Sequence, residues 1–593
     1  GSSSFSVGSV PVGTNRLVLA ADTPRASWSH VFVYTSSSLG VQSTPAALAL
    51  GDTSASASAV EFVDMDLDAE QLGGATTWSP PADTSRVQQY VVYLARDIDG
   101  VDRSAWGAVP VGTNRWWQSA ETPKWPYPAP HVLVYTRSDL AEQTTPASAI
   151  VVDTAASVSS AAFADVDLDA GDLGGDISWS APADPALVTR YHAYFAEDIA
   201  GTGRSPRGVV PVGTNKVLVP PDDQALQSNL RFAAVYTASL LAEQSTPVAL
   251  AIDDHAASVS GVSFTDLDLD YWEIGGSIAW VPPVDFSRTE DYDVYLNSSL
   301  GAGRSLVGTV DISKMAHATS VALPAETPVS RIPFTSTVSE SILVYTRSTL
   351  AEQTTPVTSA ISDVTAEVTG LAFVDKDLDP DYLGGQLSWA PPADTTLVTQ
   401  YGLYVTTDGG LPRSRLGEAP VGTNSFALPL GSSIDGRSHL AVFAASALAE
   451  QTPPVAPAAR LAIEDTSRTA SGLTFSDADP DVGAISGFAK WTPPANESLV
   501  ASYVVYLAED AEGLGRRPAT ASPSVPVGTN QVEIPSATAL NASTHLLVYV
   551  SSDLGEQTTP MSLFIRDVTD IAARQVGHVG LDGDTARRLA EEA

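Results

Sequence analysis

The stretch WSAPADPALVTRYHAY, residues 179–194, decides the fold. Trp179 is followed twelve residues later by Tyr191 and three after that by Tyr194, with Ala181-Pro182-Ala183-Asp184 as turn chemistry in between. The same trio recurs as Trp78/Tyr90/Tyr93, Trp280/Tyr292/Tyr295, Trp389/Tyr401/Tyr404 and Trp491/Tyr503/Tyr506. Two other phrases keep step with it. PVGTN stands at 11–15, 110–114, 211–215, 420–424 and 526–530, with a decayed copy near Val307–Ile312. LAEQ followed by Thr or Ser and then Pro stands at 140–146, 241–247, 350–356 and 448–453, varied as LGVQSTP at 39–45 and LGEQTTP at 554–560. The period is about 100 to 109 residues, and self-similarity at a fixed period marks a modular array.

Each period reads as strands. Tyr90-Val91-Val92-Tyr93-Leu94 and Val132-Leu133-Val134-Tyr135 are short, β-branched and aromatic. No amphipathic helix of useful length occurs before Thr585–Ala593. The pattern predicts an all-β chain, a linear array of about five and a half antiparallel β-sandwich modules. Residues 1–53 hold a partial module. Full modules span 54–154, 155–254, 255–363, 364–464 and 465–568, and 569–593 is a tail that leaves the pattern. The half-module makes the chain read as a fragment or processed piece, or as one completed by another chain in head-to-tail assembly.

The modules resemble fibronectin type III repeats over roughly residues 54–568. The residues that carry the resemblance are Trp179, Ala181-Pro182-Ala183-Asp184, Tyr191 and Val235-Tyr236-Thr237, with matches in every full repeat. The resemblance implies a sandwich with Trp on the second strand, Tyr on the third and a Tyr-bearing sixth strand. It also implies a spacer or adhesion role, although no Arg-Gly-Asp occurs.

Composition narrows the function. With 31 Lys+Arg against 69 Asp+Glu, the net charge is −38, which repels nucleic acid and anionic membranes. The absence of cysteine excludes thiol catalysis, Cys-ligated zinc and disulfides. No stretch of 18 apolar residues offers a membrane span, and no signal peptide is visible at Gly1-Ser2-Ser3-Ser4. Nucleophile motifs, phosphate loops and paired acid–base groups are missing too, so the chain reads as no enzyme. His30, His131, His439 and His545 are copies of one repeat position, not a metal trio.

Acidic triplets recur just before each Trp strand: Asp64/Asp66/Asp68, Asp165/Asp167/Asp169, Asp266/Asp268/Asp270, Asp375/Asp377/Asp379 and Asp477/Asp479/Asp481. On an extended strand, alternate carboxylates line one face about 7 Å apart, and each pair repels by about 0.6 kcal/mol in water. Calcium would relieve that cost with ligands of the right type. The pattern is not an EF-hand, since Ala69 and Ala75 stand where that loop needs Gly and Glu. Solvated, turn-capping aspartates are the alternative. By the resembled topology, the triplets face the next module with the exit aspartates Asp52, Asp153, Asp253, Asp363, Asp465 and Asp567. The loop glutamates Glu142, Glu243, Glu352, Glu450 and Glu556 point back at the preceding one.

Outward-facing Tyr93, Tyr194, Tyr295, Tyr404 and Tyr506, with a sixth strand apolar on both faces, predict a covering from the chain's own edge segments or from a neighbour. Repeat two of the PVGTN phrase adds Trp106, Trp116, Trp117 and Trp125; one of Trp116 and Trp117 should face out and anchor a partner or a sugar. Asn297, Asn496 and Asn541 begin glycosylation sequons. The functional expectation is an extracellular structural repeat protein that self-associates or joins other filament proteins. A calcium-dependent adhesin for glycan or protein, or a spacer of a larger secreted protein, are its alternatives.

Overall fold

In the second full module the β-branched and aromatic runs form β1 (Ser159–Phe163), β2 (Leu173–Ser180), β3 (Arg190–Ala196), β4 (Ser205–Pro211), β5 (Lys216–Asp223), β6 (Phe232–Ala238) and β7 (Val248–Ala251). They pair as a three-stranded sheet, β1-β2-β5, and a four-stranded sheet, β4-β3-β6-β7, antiparallel throughout. Period-two alternation sends Tyr191, Ala193 and Phe195 inward to meet Trp179, Ile177, Val217 and Val235. Trp179 and Tyr191 lie edge-to-face at 5.3 Å, which explains their fixed spacing: they come from opposite sheets and meet in the core. The same pair recurs at 5.2 Å for Trp78/Tyr90, 5.4 Å for Trp389/Tyr401 and 5.3 Å for Trp491/Tyr503.

The PVGTN phrase is the turn between β4 and β5. Thr214 N–H donates to the Pro211 carbonyl, and the Asn215 carbonyl accepts from Trp179 N–H at 3.1 Å, pinning the turn to β2. Gly213 has φ +95° with open space where a Cβ would stand, so backbone conformation alone demands glycine there.

This computed structural model describes residues 4–124, 130–298, 303–313, 319–329, 340–453 and 459–567; Trp125 and the 569–593 tail lie outside them. The described residues form two compact units. One draws on Gly1–Ser258, Pro283–Tyr292 and Tyr345–Pro356; the other draws on Val259–Pro282, Asp293–Val344 and Val357–Ala593. The first unit holds the modules at 54–154 and 155–254, and the second those at 364–464 and 465–567, each a two-sheet sandwich. In the partial module, His30–Val33 pairs among the described residues with Ala46–Ala49 alone. Phe32 is consequently 46% exposed, whereas Leu133 at the equivalent place is fully buried. A short 3-10 turn spans Ala225–Ser228, and no helix among the described residues is long and apolar enough to cross a membrane.

Candidate functional site

The triplets do not sit on a strand face. In the first module the strand Ser58–Asp64 ends at the first aspartate, and Asp66 and Asp68 lie in the irregular segment after it. Asp64 Oδ1 accepts from Asp66 N–H at 3.2 Å, and Asp66 Oδ1 from Asp68 N–H at 3.0 Å. These are successive Asx turns, in which short acidic side chains bond their own backbone two residues on. The aspartates do cap turns, as the alternative reading has it, but they are not solvated: Asp64, Asp66 and Asp68 are all 2–3% exposed.

Each aspartate then takes a different job. The first closes its own module: Asp64 accepts from Gly73 N–H at 2.9 Å and from Thr154 N–H at 2.9 Å. The second holds a bulge: Asp66 Oδ2 accepts from Glu121 N–H at 2.6 Å, and Glu121 sits in left-handed backbone with φ 64°. The third reaches the next module. Asp68 accepts from Ser245 N–H at 2.5 Å and Thr246 N–H at 3.1 Å, while the Thr246 hydroxyl also donates to it. Gln244 Nε2 adds a bond to the Leu67 carbonyl at 3.2 Å. The LAEQ-Ser/Thr-Thr-Pro phrase is therefore a grip on the preceding module's third aspartate.

The grip repeats. Asp169 accepts from Thr354 and Thr355 N–H at 2.5 and 3.1 Å, Asp270 from Thr452 at 2.8 Å, and Asp379 from Thr558 and Thr559 at 2.5 and 3.1 Å. A leucine of the gripping loop packs on the first glycine of the preceding Gly-Gly. A Cβ on Gly73, Gly174, Gly275 or Gly384 would come within 2.7, 2.7, 2.7 or 2.9 Å of Leu241, Leu350, Leu448 or Leu554. In the fifth module the acceptor Asp481 is exposed and Ser486 occupies the glycine's place.

Exit aspartates complete the pole. Asp153, Asp254, Asp363, Asp465 and Asp567 accept from the N–H groups of Glu70, Gly171, Trp272, Asp381 and Gly483 at 2.8 to 3.1 Å. All five donors have positive φ. In the second module the role falls to Asp254, not to Asp253. Asp52 instead pairs with Arg25 at 3.3 Å.

At three poles carboxylates converge. Oxygens of Asp66, Asp68 and Glu121, of Asp167, Asp169 and Asp222, and of Asp268, Asp270 and Glu326 lie within 4.8 Å of one another, a donor set that could hold a cation. Asp64, Asp165, Asp266, Asp375 and Asp477 stand apart from these groups, tied to backbone N–H groups. At the bulge Asp377 accepts from Gly431 N–H and Asp479 from Ala537 N–H, so neither of these two poles has an acid at that position. The bulge acids Glu121, Asp222 and Glu326 are absent from the sequence reading. Their one signal is an acid at the same repeat register in three units.

Burial favours the protonated form of several carboxyls at these poles. It pushes Asp64, Asp165 and Asp266 up to about 6 against the pull of their N–H bonds. Asp270 goes to about 7, through burial first and then the neighbouring Asp268, Glu326 and Glu273, with only Thr452 N–H opposing. Burial and hydrogen bonding to Glu326 also raise Glu273.

The outer sheet face is covered by the chain itself. Tyr93 donates to Glu142 at 3.0 Å, Tyr194 to Glu243 at 2.9 Å, Tyr404 to Glu450 at 2.8 Å and Tyr506 to Glu556 at 3.0 Å. An arginine lies over each aromatic pair: Arg103 is 4.5 and 4.4 Å from the Tyr93 and Tyr135 centroids, and 2.9 Å from Glu142. Arg304 lies 4.3 Å over Tyr295. The four glutamates Glu142, Glu243, Glu450 and Glu556 thus turn onto their own module, not towards the preceding one. Gly100 packs beside the Tyr135 hydroxyl, so the loop after the third strand completes the cover. Trp116 is half-buried, and Trp117 is 47% exposed with Arg115 at 4.0 Å over its ring. Asn496 and Asn541 are exposed and Asn297 is half-buried on a strand.

The pairing of a three-stranded with a four-stranded antiparallel sheet, in the order β1-β2-β5 and β4-β3-β6-β7, defines a fibronectin type III-like sandwich. The chain is a tandem array of such modules. No family model and no curated protein matches it. Among solved structures, a two-domain fibronectin type III segment from chicken tenascin is 17% identical, covering 35% of this chain and 98% of that one with a TM-score of 0.16. The chicken CNTN1 FN1–FN3 domains are 13% identical, covering 52% and 99%, with a TM-score of 0.18.

Proposed function

We propose that the chain is an extracellular structural repeat protein, a building block of a surface filament, stalk or appendage that self-associates or joins other filament proteins. The observation that carries this is the grip of each loop on the preceding aspartate, repeated at Asp68, Asp169, Asp270 and Asp379. Dedicated contacts between neighbours, a leucine on a glycine and a carboxylate on backbone N–H groups, are what an array under tension needs and a loose string of spacers does not. The test is to pull the full chain by its ends. Sawtooth unfolding is expected, each event releasing about 100 residues at about 3.5 Å apiece. Extension without discrete resistance would remove the structural reading and leave a spacer of a larger secreted protein.

A second reading, a calcium-dependent adhesin, is favoured by the three converging acid groups. Calcium would replace crowded carboxylate repulsion with oxygen ligation and stiffen those poles. Calorimetric titration of the full chain should then show about three sites of one class. Absence of both binding heat and a calcium-dependent melting shift would end it. Trp117 is the contact to substitute in a glycan or protein binding assay, since about half of it is exposed.

A further inference from the structure

We propose that His192 makes the grip between the first two full modules sensitive to acid. His192 lies on β3 with Nδ1 2.7 Å from Glu243 and 3.3 Å from the Tyr194 hydroxyl. Glu243 belongs to the loop whose next residues, Gln244, Ser245 and Thr246, hold Leu67 and Asp68 of the preceding module. The imidazole therefore props the loop from below. Its Nε2 is buried and has no hydrogen-bond partner among the described residues.

The charged form is poorly housed. Protonation adds an Nε2–H donor with no acceptor, and leaving a buried donor unpaired is costly. Each packed element contributes. On its own strand stand Arg190 and Tyr194. From the four-stranded sheet come Val209, opposite on β4, and Tyr236, opposite on β6; Arg204 lies 4.7 and 4.2 Å over the Tyr194 and Tyr236 rings. Among the described residues Glu243 is the anion that faces it, and it is already shared with Tyr194 and with Arg204 at 2.8 Å. Burial lowers the proton affinity of His192 most; Glu243 opposes it, and Arg190 and Arg204 lower it further. A histidine with depressed folded affinity contributes stability that is intact above its unfolded value of about 6.5 and lost as pH falls below that towards the lower folded value.

The position is a natural substitution series. Val91, Asp293, Gly402 and Val504 stand there in the other modules. None can gain a positive charge.

The experiment is hydrogen exchange on the full chain, corrected for intrinsic rates, at about pH 7.5 and about pH 5.5, the window in which histidine changes charge. Protection of 239–247 should fall at least about threefold on acidification, while 552–560, with Val504 beneath it, should not follow. His192→Val and His192→Gln should each keep 239–247 protected at both values. Equal loss in both variants, or no loss in the wild type, overturns the proposal. Uniform loss across the whole module in the acidified wild type would indicate general unfolding and equally count against it.

Discussion

Two poles in the second unit use one scaffold and end in opposite electrostatic states. At the third module's pole, Asp270 receives one loop N–H, because Pro453 follows Thr452 where a second donor stands elsewhere. Glu326 occupies its bulge, and Glu273 begins the following strand. At the fourth module's pole, Asp379 receives two N–H groups, Gly431 replaces the bulge acid and Tyr382 replaces Glu273. An ion pair of 2.6 Å between Lys376 and Asp553 brings positive charge to that joint. The fourth pole is satisfied by donors alone; the third carries surplus carboxylate that a proton or a cation would relieve. A repeat can thus keep its geometry while each copy sets its own response to pH and salt.

The comparison breaks most sharply at the third aspartate. Asp379→Ala leaves two loop N–H groups without an acceptor, at about 1–3 kcal/mol each. Asp270→Ala orphans one and also removes a crowded charge, so its net cost should be much smaller. Denaturant unfolding of the full-length variants checks the ranking, and equal losses would mean the two grips are energetically alike.

Next in size is the pH response. Asp270 in the folded chain holds its proton up to about 7, above the usual carboxylate value, so folding takes up protons and stability falls as pH rises from about 4 to about 7. Asp270→Asn keeps an acceptor for Thr452 and removes the charge. Its melting temperature should exceed wild type by a few degrees near neutrality and converge with it in mild acid. A difference that persists unchanged below about pH 4 would point to packing instead.

The sandwich was legible because its signals are local or periodic. Trp179 and Tyr191 keep their spacing since they must meet across the core, and PVGTN keeps its glycine since the turn needs positive φ. The triplets were legible as a shared pole but not as a mechanism. Alternation assumes an extended chain, and at Asp64 the chain stops being extended because its side chain competes for backbone N–H groups. Glu121 was invisible for a different reason. It reaches Asp66 through a bulge more than fifty residues away, and no strand periodicity encodes which residue a bulge re-aims. The loop glutamates were misplaced because a nearer partner, an outward tyrosine with arginine over it, captured them.

A smaller effect would sharpen the contrast by transplanting it. Gly431→Glu places an acid at the fourth bulge, where backbone φ of 80° costs a side chain roughly 1 kcal/mol. Once that general cost is subtracted, protection of 552–560 should become dependent on millimolar calcium, as 446–453 should be in the wild type. A loop that stays indifferent would show that the bulge acid alone does not define a cation-responsive pole.

The smallest expected change is at Lys376. Its partner Asp553 is largely exposed, and exposed pairs contribute about 0–1 kcal/mol, screened further by salt. The backbone carbonyl of Lys376 also accepts from the Ser552 hydroxyl at 2.7 Å, an interaction that survives any side-chain change. Lys376→Met should therefore alter unfolding by less than about 0.5 kcal/mol at physiological ionic strength. If it cost as much as Asp379→Ala, the fourth pole would be held by charge neutralisation and not by its two N–H donors. The contrast between the poles would then lie in where the positive charge comes from: lysine in one, an acquired proton or cation in the other.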